Sequence, residues 1–414
     1  MSSAARSASA LVSQERLWTR LMAMAEIGRV GATGVNRAAF SLEDIEARRL
    51  LVSWARALGM TASHDAIGNL FLRLQGTDAD APAVLVGSHL DSQPSGGRFD
   101  GVFGVLAGLE AVEALRALGT PIARSIEVVA WANEEGGRFG PGAMGSQVFT
   151  GLRSVADFQN VADADGVTLP EALQATLRAL PEVSLRLHRD PPAVYLEAHI
   201  EQGPCLERAR CPVGIVTGIQ GCQWLEFVVT GEAAHAGTTP LTERRDALVA
   251  AMDVIATLRT LCLSQAPDSR FTVGRFTVEP NTPNTVPYRV AFTVDFRHPD
   301  RDTFVRIADA LLAATRTGKC ELQVRELFRH EPVAFPNHII EAVEYAASYV
   351  SCETLRLTSG AFHDALFLAT CCPTGMVFVR CREGISHNPR EYASPEDLAL
   401  GARVLTRAIE TLSA

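Results

Sequence analysis

The chain has 414 residues, 47% hydrophobic and 21% charged, with a formal net charge of −9. That length exceeds one ordinary core and makes two domains the expectation, while the acidic balance excludes a nucleic-acid groove, which needs a basic face. No uninterrupted apolar run reaches membrane-spanning length, so no membrane partner is expected either. Lys319 is the single lysine, so Schiff-base or lysine-dependent amidase chemistry would have to rest on a TGKC turn, where a solvated surface position is expected. Nine cysteines without a CxxC pair suit reduced thiols and a cytoplasmic location, with adjacent Cys371 and Cys372 expected as buried core thiols. The start, MSSAARSASALVSQERLW, lacks the continuous apolar core of a secretory signal and reads as a frayed tail, with an organelle-targeting reading left open.

In chain order, residues 41–58 form an amphipathic helix capped by Ser41, with Asp44 closing a capping box. Three β-rich runs follow at 66–74, 81–89 and 125–133, and between the last two lies a largely apolar helix over 101–119. Strand, helix, strand in this order predicts a parallel α/β sheet with a right-handed crossover. Open sheets of this kind bind ligands at their strand ends.

The middle of the chain changes character. It reads as strand 213–230, helix 244–262, strands 271–279 and 286–297, helix 302–316 and strand 320–330. This β-α-β-β-α-β order is ferredoxin-like. Helix and strand runs of the first type return at 338–350, 375–381 and 394–412. The expectation is a mixed-sheet α/β domain in two segments, 1–212 and 332–414, interrupted by a ferredoxin-like α+β domain over 213–331.

Four clusters carry potential chemistry. In GSHLDSQPSGGRFDG, His89 ends an apolar strand, Asp91 can orient the imidazole from behind, and Asp100 follows in a glycine-rich loop. In WANEEGGRFGPGAMGS, Glu134 and Glu135 end another apolar strand, and both can serve one site only if a turn begins there. In YLEAHIEQGPCLE, His199 closes an apolar-alternating run beside Glu197, Glu201 and Gln202; in EGISHNPREYASPED, His387 precedes a helix capped at Ser394. Any one of these is also what an ordinary loop or a satisfied structural histidine looks like. Together they place three imidazoles and several carboxylates at the ends of elements of one domain. Imidazole mixed with carboxylate suits Zn, Mn, Co or Ni rather than Ca, and a carboxylate bridging two metals beside a free glutamate base is a standard way to activate water at neutral pH.

The segments GSHLDSQPSGGRFDGVFGVLAGLEA, NEEGGRFGPGAMGS, YLEAHIEQGPCLE, GEAAHAGTTPLTERRDAL, PNTVP, VDFRHPD, SGAFHDA and GISHNPRE run in order from about residue 87 to 391. In them the chain resembles the M20-type metallohydrolases, specifically their hydantoinase/carbamoylase amidase branch. The resemblance implies two divalent metals: His89 and His199 on one, Glu135 and His387 on the other, Asp100 bridging both, and Glu134 as general base. It implies substrate contacts at Gln202, His235, Asn284, Arg297 and Gly360, with His235 supplied across a homodimer by the inserted dimerisation (lid) domain. An arginine fork is the natural partner of a substrate carboxylate. His199, where peptidase members of the wider group have an acidic ligand, favours a ureido substrate.

The implied reaction is hydrolysis of an N-carbamoyl-L-amino acid, with allantoate and N-carbamoyl-β-alanine as neighbouring substrates, peptidase or aminoacylase activity further off, and a metal-dead binding protein as the reading from another class. The chain departs from the family at Phe362, where a glycine is usual in the SGAxHDA motif, and slightly at TPNTVP.

Overall fold

The computed structural model describes residues 7–186, 191–313 and 318–413. The chain divides into two compact units, one comprising Met1–Thr217 and Phe335–Ala414, the other Gly218–Ala334. Residues 1–6 of the expected tail and 314–316 of the helix expected over 302–316 lie outside the described residues.

The larger unit is built on a mixed sheet. Its centre is four parallel strands in the order Thr374–Val379, Val194–Ile200, Val84–His89 and Ile126–Trp131. Every residue of these four is buried, which explains their near-continuous apolar sequence: a central strand has no solvent face. Leu70–Leu74 and then Thr61–His64 extend the sheet antiparallel on one side, and Val213–Ile219 on the other. Helices Val102–Leu118 and Pro395–Leu412 pack on the central strands and on each other. The second is capped as expected, Ser394 Oγ accepting the Asp397 N–H.

The helix expected over 41–58 runs Leu42–Ala57, and Ser41 Oγ accepts the Asp44 N–H. The Asp44 carboxylate does not close a capping box onto Ser41. It accepts the Phe40 N–H and the Arg48 Nε–H, both at 2.9 Å, because a buried carboxylate is better compensated by a guanidinium one turn on. The frayed tail is corrected from residue 7 onward. Ala8–Leu11 forms a 3-10 turn with Ala8 and Ser9 buried, and Ser7 Oγ donates to Glu410 at 2.6 Å. Of the paired thiols, Cys372 is buried and Cys371 only half-buried. Lys319 is exposed, as expected.

The second unit carries an antiparallel sheet in the order Arg270–Glu279, Arg289–His298, Gly221–Thr230, Glu321–His330. Helices Ala247–Gln265 and Arg301–Ala313 supply its core, where Phe227, Phe292, Phe296 and Phe304 are fully buried. By length and hydropathy Ala247–Gln265 could cross a membrane. Here Ala247, Ala250, Ala251, Val254, Leu258 and Cys262 form a helical stripe buried in that core.

The strand expected over 213–230 is two strands, broken at Gln220. Val213–Ile219 belongs to the large sheet and Gly221–Thr230 to the small one. Their burial differs accordingly: the first is buried along almost its whole length, while the second alternates from Leu225 onward. A two-stranded ribbon, Ala234–His235 with Thr285–Val286, completes the unit and has no counterpart in the sequence reading.

Candidate active site

Three of the four central parallel strands end at the site or feed it directly. His89 is the last residue of its strand, paired in register with Trp131, the last of the next. His199 is one residue from its strand end, in register with Phe378. Beyond Trp131 the chain turns sharply, with Asn133 at φ 53°, so that Glu134 and Glu135 need not alternate across a strand. The fourth strand, Thr374–Val379, leads into the loop that presents His387, whose own φ is 52°.

Asp100 arrives from the loop before helix Val102–Leu118 and lies among the imidazoles. Its Oδ1 is 3.1 Å from His199 Nε2 and 3.5 Å from His89 Nε2, while Oδ2 is 3.4 Å from His387 Nε2. Glu135 Oε2 is also 3.4 Å from His387 Nε2. The donors thus form two sets that share Asp100: His89, Asp100 and His199, all buried, and Asp100, Glu135 and half-exposed His387. Gly101 makes this approach possible, since a Cβ there would lie 2.3–2.4 Å from the His89 ring.

The other nitrogens of the two buried histidines are fixed by main chain. His89 Nδ1 is 2.9 Å from the Asp91 carbonyl and His199 Nδ1 is 2.9 Å from the Ile200 carbonyl. With Nδ1 donating, the neutral rings would offer their Nε2 lone pairs to a metal on the Asp100 side, where the Gly101 N–H already lies 3.2 Å from His199 Nε2. The Asp91 carboxylate stands 3.9 Å from His89 Nδ1. It instead accepts the N–H of Glu134 at 3.2 Å and of Glu135 at 3.1 Å, holding the turn that carries both glutamates.

Negative charge is concentrated here. Burial, with Asp364, Glu135 and Asp91 nearby, pushes the Glu134 carboxyl well above the usual range, and burial beside Asp100 pushes Glu135 up to about 7. Asp100 is held well below the usual range because His199, His387 and His89 outweigh its burial. The Asp100 bond and the Glu135 charge raise His387 to about 9 against its burial. Such crowded carboxylates are relieved by a cation.

The spacing also fits metal. Two donors each about 2.1 Å from one tetrahedral ion are separated by about 3.4 Å, and the contacts above span 3.1–3.5 Å.

The remaining expected residues fall as follows. Gln202, at φ 55°, donates from Nε2 to Asp100 Oδ2 at 2.8 Å, beside Ser386 Oγ. Glu201 accepts the Cys205 and Leu206 N–H groups at the start of a short helix, and Glu197 accepts from Ser88, Tyr195 and the Ala365 N–H within the core. Gly360 is exposed just beyond strand Thr354–Ser359.

In the second unit, the ribbon brings His235 opposite Thr285, next to Asn284, and both His235 and Asn284 are exposed. His235 Nδ1 accepts the Gly237 and Thr238 N–H groups at 3.1 and 3.2 Å. Arg297 makes a forked pair with Asp295 through Nε and Nη2, at 2.9 and 2.8 Å.

Three residues were not singled out from the sequence. His363 lies within SGAFHDA, buried, its ring 4.6 Å from that of His199. Glu391 lies at the end of the HNPRE run and is also buried. Both sit inside segments whose composition was already informative. Arg37 had no local signal. Its fully buried guanidinium donates to the Leu90, Met24 and Ile27 carbonyls at 2.7–2.9 Å, and its N–H donates to Ser92 Oγ at 2.9 Å, clamping the loop behind Asp91.

A mixed α/β sheet whose parallel centre delivers histidines and carboxylates to one place is the arrangement expected of a metal-dependent hydrolase. The chain belongs to peptidase family M20/M25/M40, whose model matches residues 85–411. Within that family it is similar to the crystal structure of a hydantoinase/carbamoylase family amidase from Burkholderia multivorans, at 43% identity and a TM-score of 0.89 over 97% of this chain and 98% of that one. It is 40% identical to an N-carbamoyl-L-amino-acid amidohydrolase of Pseudomonas sp. (strain NS671), over 96% of this chain and 98% of the relative. To an allantoate amidohydrolase of Bacillus subtilis (strain 168) it is 33% identical, over 94% and 95%.

Proposed function

We propose that this enzyme hydrolyses the ureido C–N bond of an N-carbamoyl-L-amino acid, giving the amino acid, ammonia and carbon dioxide. The observation that carries the reading is Asp100, with one oxygen toward His89 and His199 and the other toward His387. His89 and His199 would hold one divalent ion, Glu135 and His387 a second, and Asp100 both; Zn, Mn, Co and Ni all suit this donor set. Such ions, when bound, lower the pKa of water and polarise a carbonyl.

Glu134 is the general base. Its buried carboxylate lies at the centre, Oε2 3.5 Å from His89 Nε2, where it can take a proton from attacking water and give it to the leaving nitrogen. Asp91 keeps that carboxylate in place through the main chain. His235, with Nδ1 engaged as an acceptor, carries its proton on Nε2 and can donate to a developing oxyanion. By the family resemblance, Arg297, Asn284, Gln202 and Gly360 are the candidates for the carboxylate end of the substrate; the Arg297 fork is paired with Asp295 here.

The choice of a ureido substrate rests on His199 and on the Pseudomonas relative's activity. Allantoate is the second reading, favoured by the Bacillus relative. A homodimer through the inserted domain is supported by the outer face of helix Ala247–Gln265, where Val249, Met252 and Leu263 are exposed. A cytoplasmic location is supported by nine cysteines with no CxxC pair among them.

The test is a panel of N-carbamoyl-L- and D-amino acids, N-carbamoyl-β-alanine, allantoate and dipeptides, on chelated enzyme refilled with Mn, Co, Ni or Zn. Ammonia release fastest from an N-carbamoyl-L-amino acid is expected. Dipeptide cleavage without ammonia release would overturn the reading.

A further inference from the structure

Glu391 stands four residues after His387, and its carboxylate is buried with no ion-pair partner among the described residues. A buried acid with no cation in ion-pair contact is costly and is retained where hydrogen bonds hold it. Its bonds go to the two loops that present Asp100 and His387. Oε1 accepts the main-chain N–H of Phe99 at 2.8 Å and of Asp100 at 3.1 Å. Oε2 is 3.2 Å from Ser386 Oγ, whose shorter contact, 2.7 Å, is to Asp100 Oδ2. The Glu391 N–H closes onto the Asn388 carbonyl at 2.9 Å, tightening the turn that carries His387. Gly97 leaves room for the carboxylate, since a Cβ there would lie 2.0–2.2 Å from its atoms.

We propose that Glu391 is a positioning residue. It ties the Asp100 loop to the His387 loop, so that the shared carboxylate and the imidazole are set before metal arrives. The inference rests on the two-ion reading above. It assigns Glu391 no contact with substrate; Glu391 acts through Asp100 and Ser386.

Glu391→Gln keeps the size but replaces the charge-assisted bonds to the Phe99 and Asp100 N–H groups with neutral ones and turns the oxygen facing Ser386 into a donor. Metal-stripped full-length wild type and variant are titrated with Mn²⁺ alone, and thermal melts, kcat and KM are recorded. The expected result is a rise of about 10–100-fold in at least one dissociation constant and a fall in kcat, with KM changed less. Ser386→Ala, which leaves both main-chain bonds in place, should move the same constant less.

A lowered melting temperature with unchanged dissociation constants would show a merely structural role and overturn the proposal. If Glu391→Gln does not fold, unchanged constants in Ser386→Ala overturn it instead. Wild type binding only one ion would defeat the two-ion reading, and the effect of Glu391→Gln on that ion would still decide the role of Glu391.

Discussion

The Asp91 carboxylate accepts the main-chain N–H of Glu134 at 3.2 Å. Its second oxygen does the same for Glu135 at 3.1 Å. One buried side chain therefore fixes the turn on which both a metal-facing carboxylate and the proposed base are mounted. The same residue's carbonyl, not its carboxylate, meets His89 Nδ1. In Asp91→Asn the amide can accept only one of the two N–H groups. Turnover is expected to fall about 10–100-fold while His89 stays held by the main chain. Steady-state kinetics beside a metal titration checks this; unchanged kcat would remove Asp91 from the positioning of Glu134.

Glu134→Gln should retain bound metal, because neither donor set includes Glu134. It should lose about 10²–10⁴-fold in kcat, the usual contribution of a general acid–base group. Metal content by elemental analysis and kcat are read on the same sample. Retained turnover would clear Glu134 of the role.

Arg37→Met should destabilise the larger unit. The Leu90, Met24 and Ile27 carbonyls lose their buried guanidinium donor, at about 1–3 kcal/mol for each group left unpaired. Urea denaturation of metal-free protein measures the loss. An unchanged midpoint would mean that water or a rearranged loop replaces the arginine.

How much of this was legible in the sequence depended on range. The apolar runs ending in His89 and just before Glu134 announced strand ends because central strands are buried on both faces. The caps at Ser41 and Ser394 were readable because a cap is a local hydrogen bond. The break at Gln220 was passed over although Gly218 and Gly221 flank it, because the strand-forming residues on either side read as one run. Asp91 was read as the partner of its near neighbour His89, whereas its carboxylate reaches 43 residues on to Glu134. Arg37 and Glu391 act through bonds to distant loops, 53 residues away at Leu90 and 292 at Phe99, and no spacing rule encodes such pairs.

His330 gives a pH dependence separate from the metal centre. Burial lowers it from 6.5 to about 4. The folded second unit therefore binds fewer protons than the unfolded chain between these values, and stability falls as pH drops from 6.5 toward 4. At pH 5 the loss is about 2 kcal/mol. Denaturant melts at pH 7.5 and 5 should show it, and His330→Gln should flatten the acid side; an equally steep fall in that variant would assign the effect elsewhere.

In the proposed centre one carboxylate, Asp100, would serve two ions. Anomalous X-ray diffraction from crystals of the Mn-loaded enzyme tests it most directly. Two peaks about 3.5–4 Å apart are expected, one beside His89 and His199, one beside Glu135 and His387, with Asp100 between them. A single peak, or two that do not share Asp100, would contradict it.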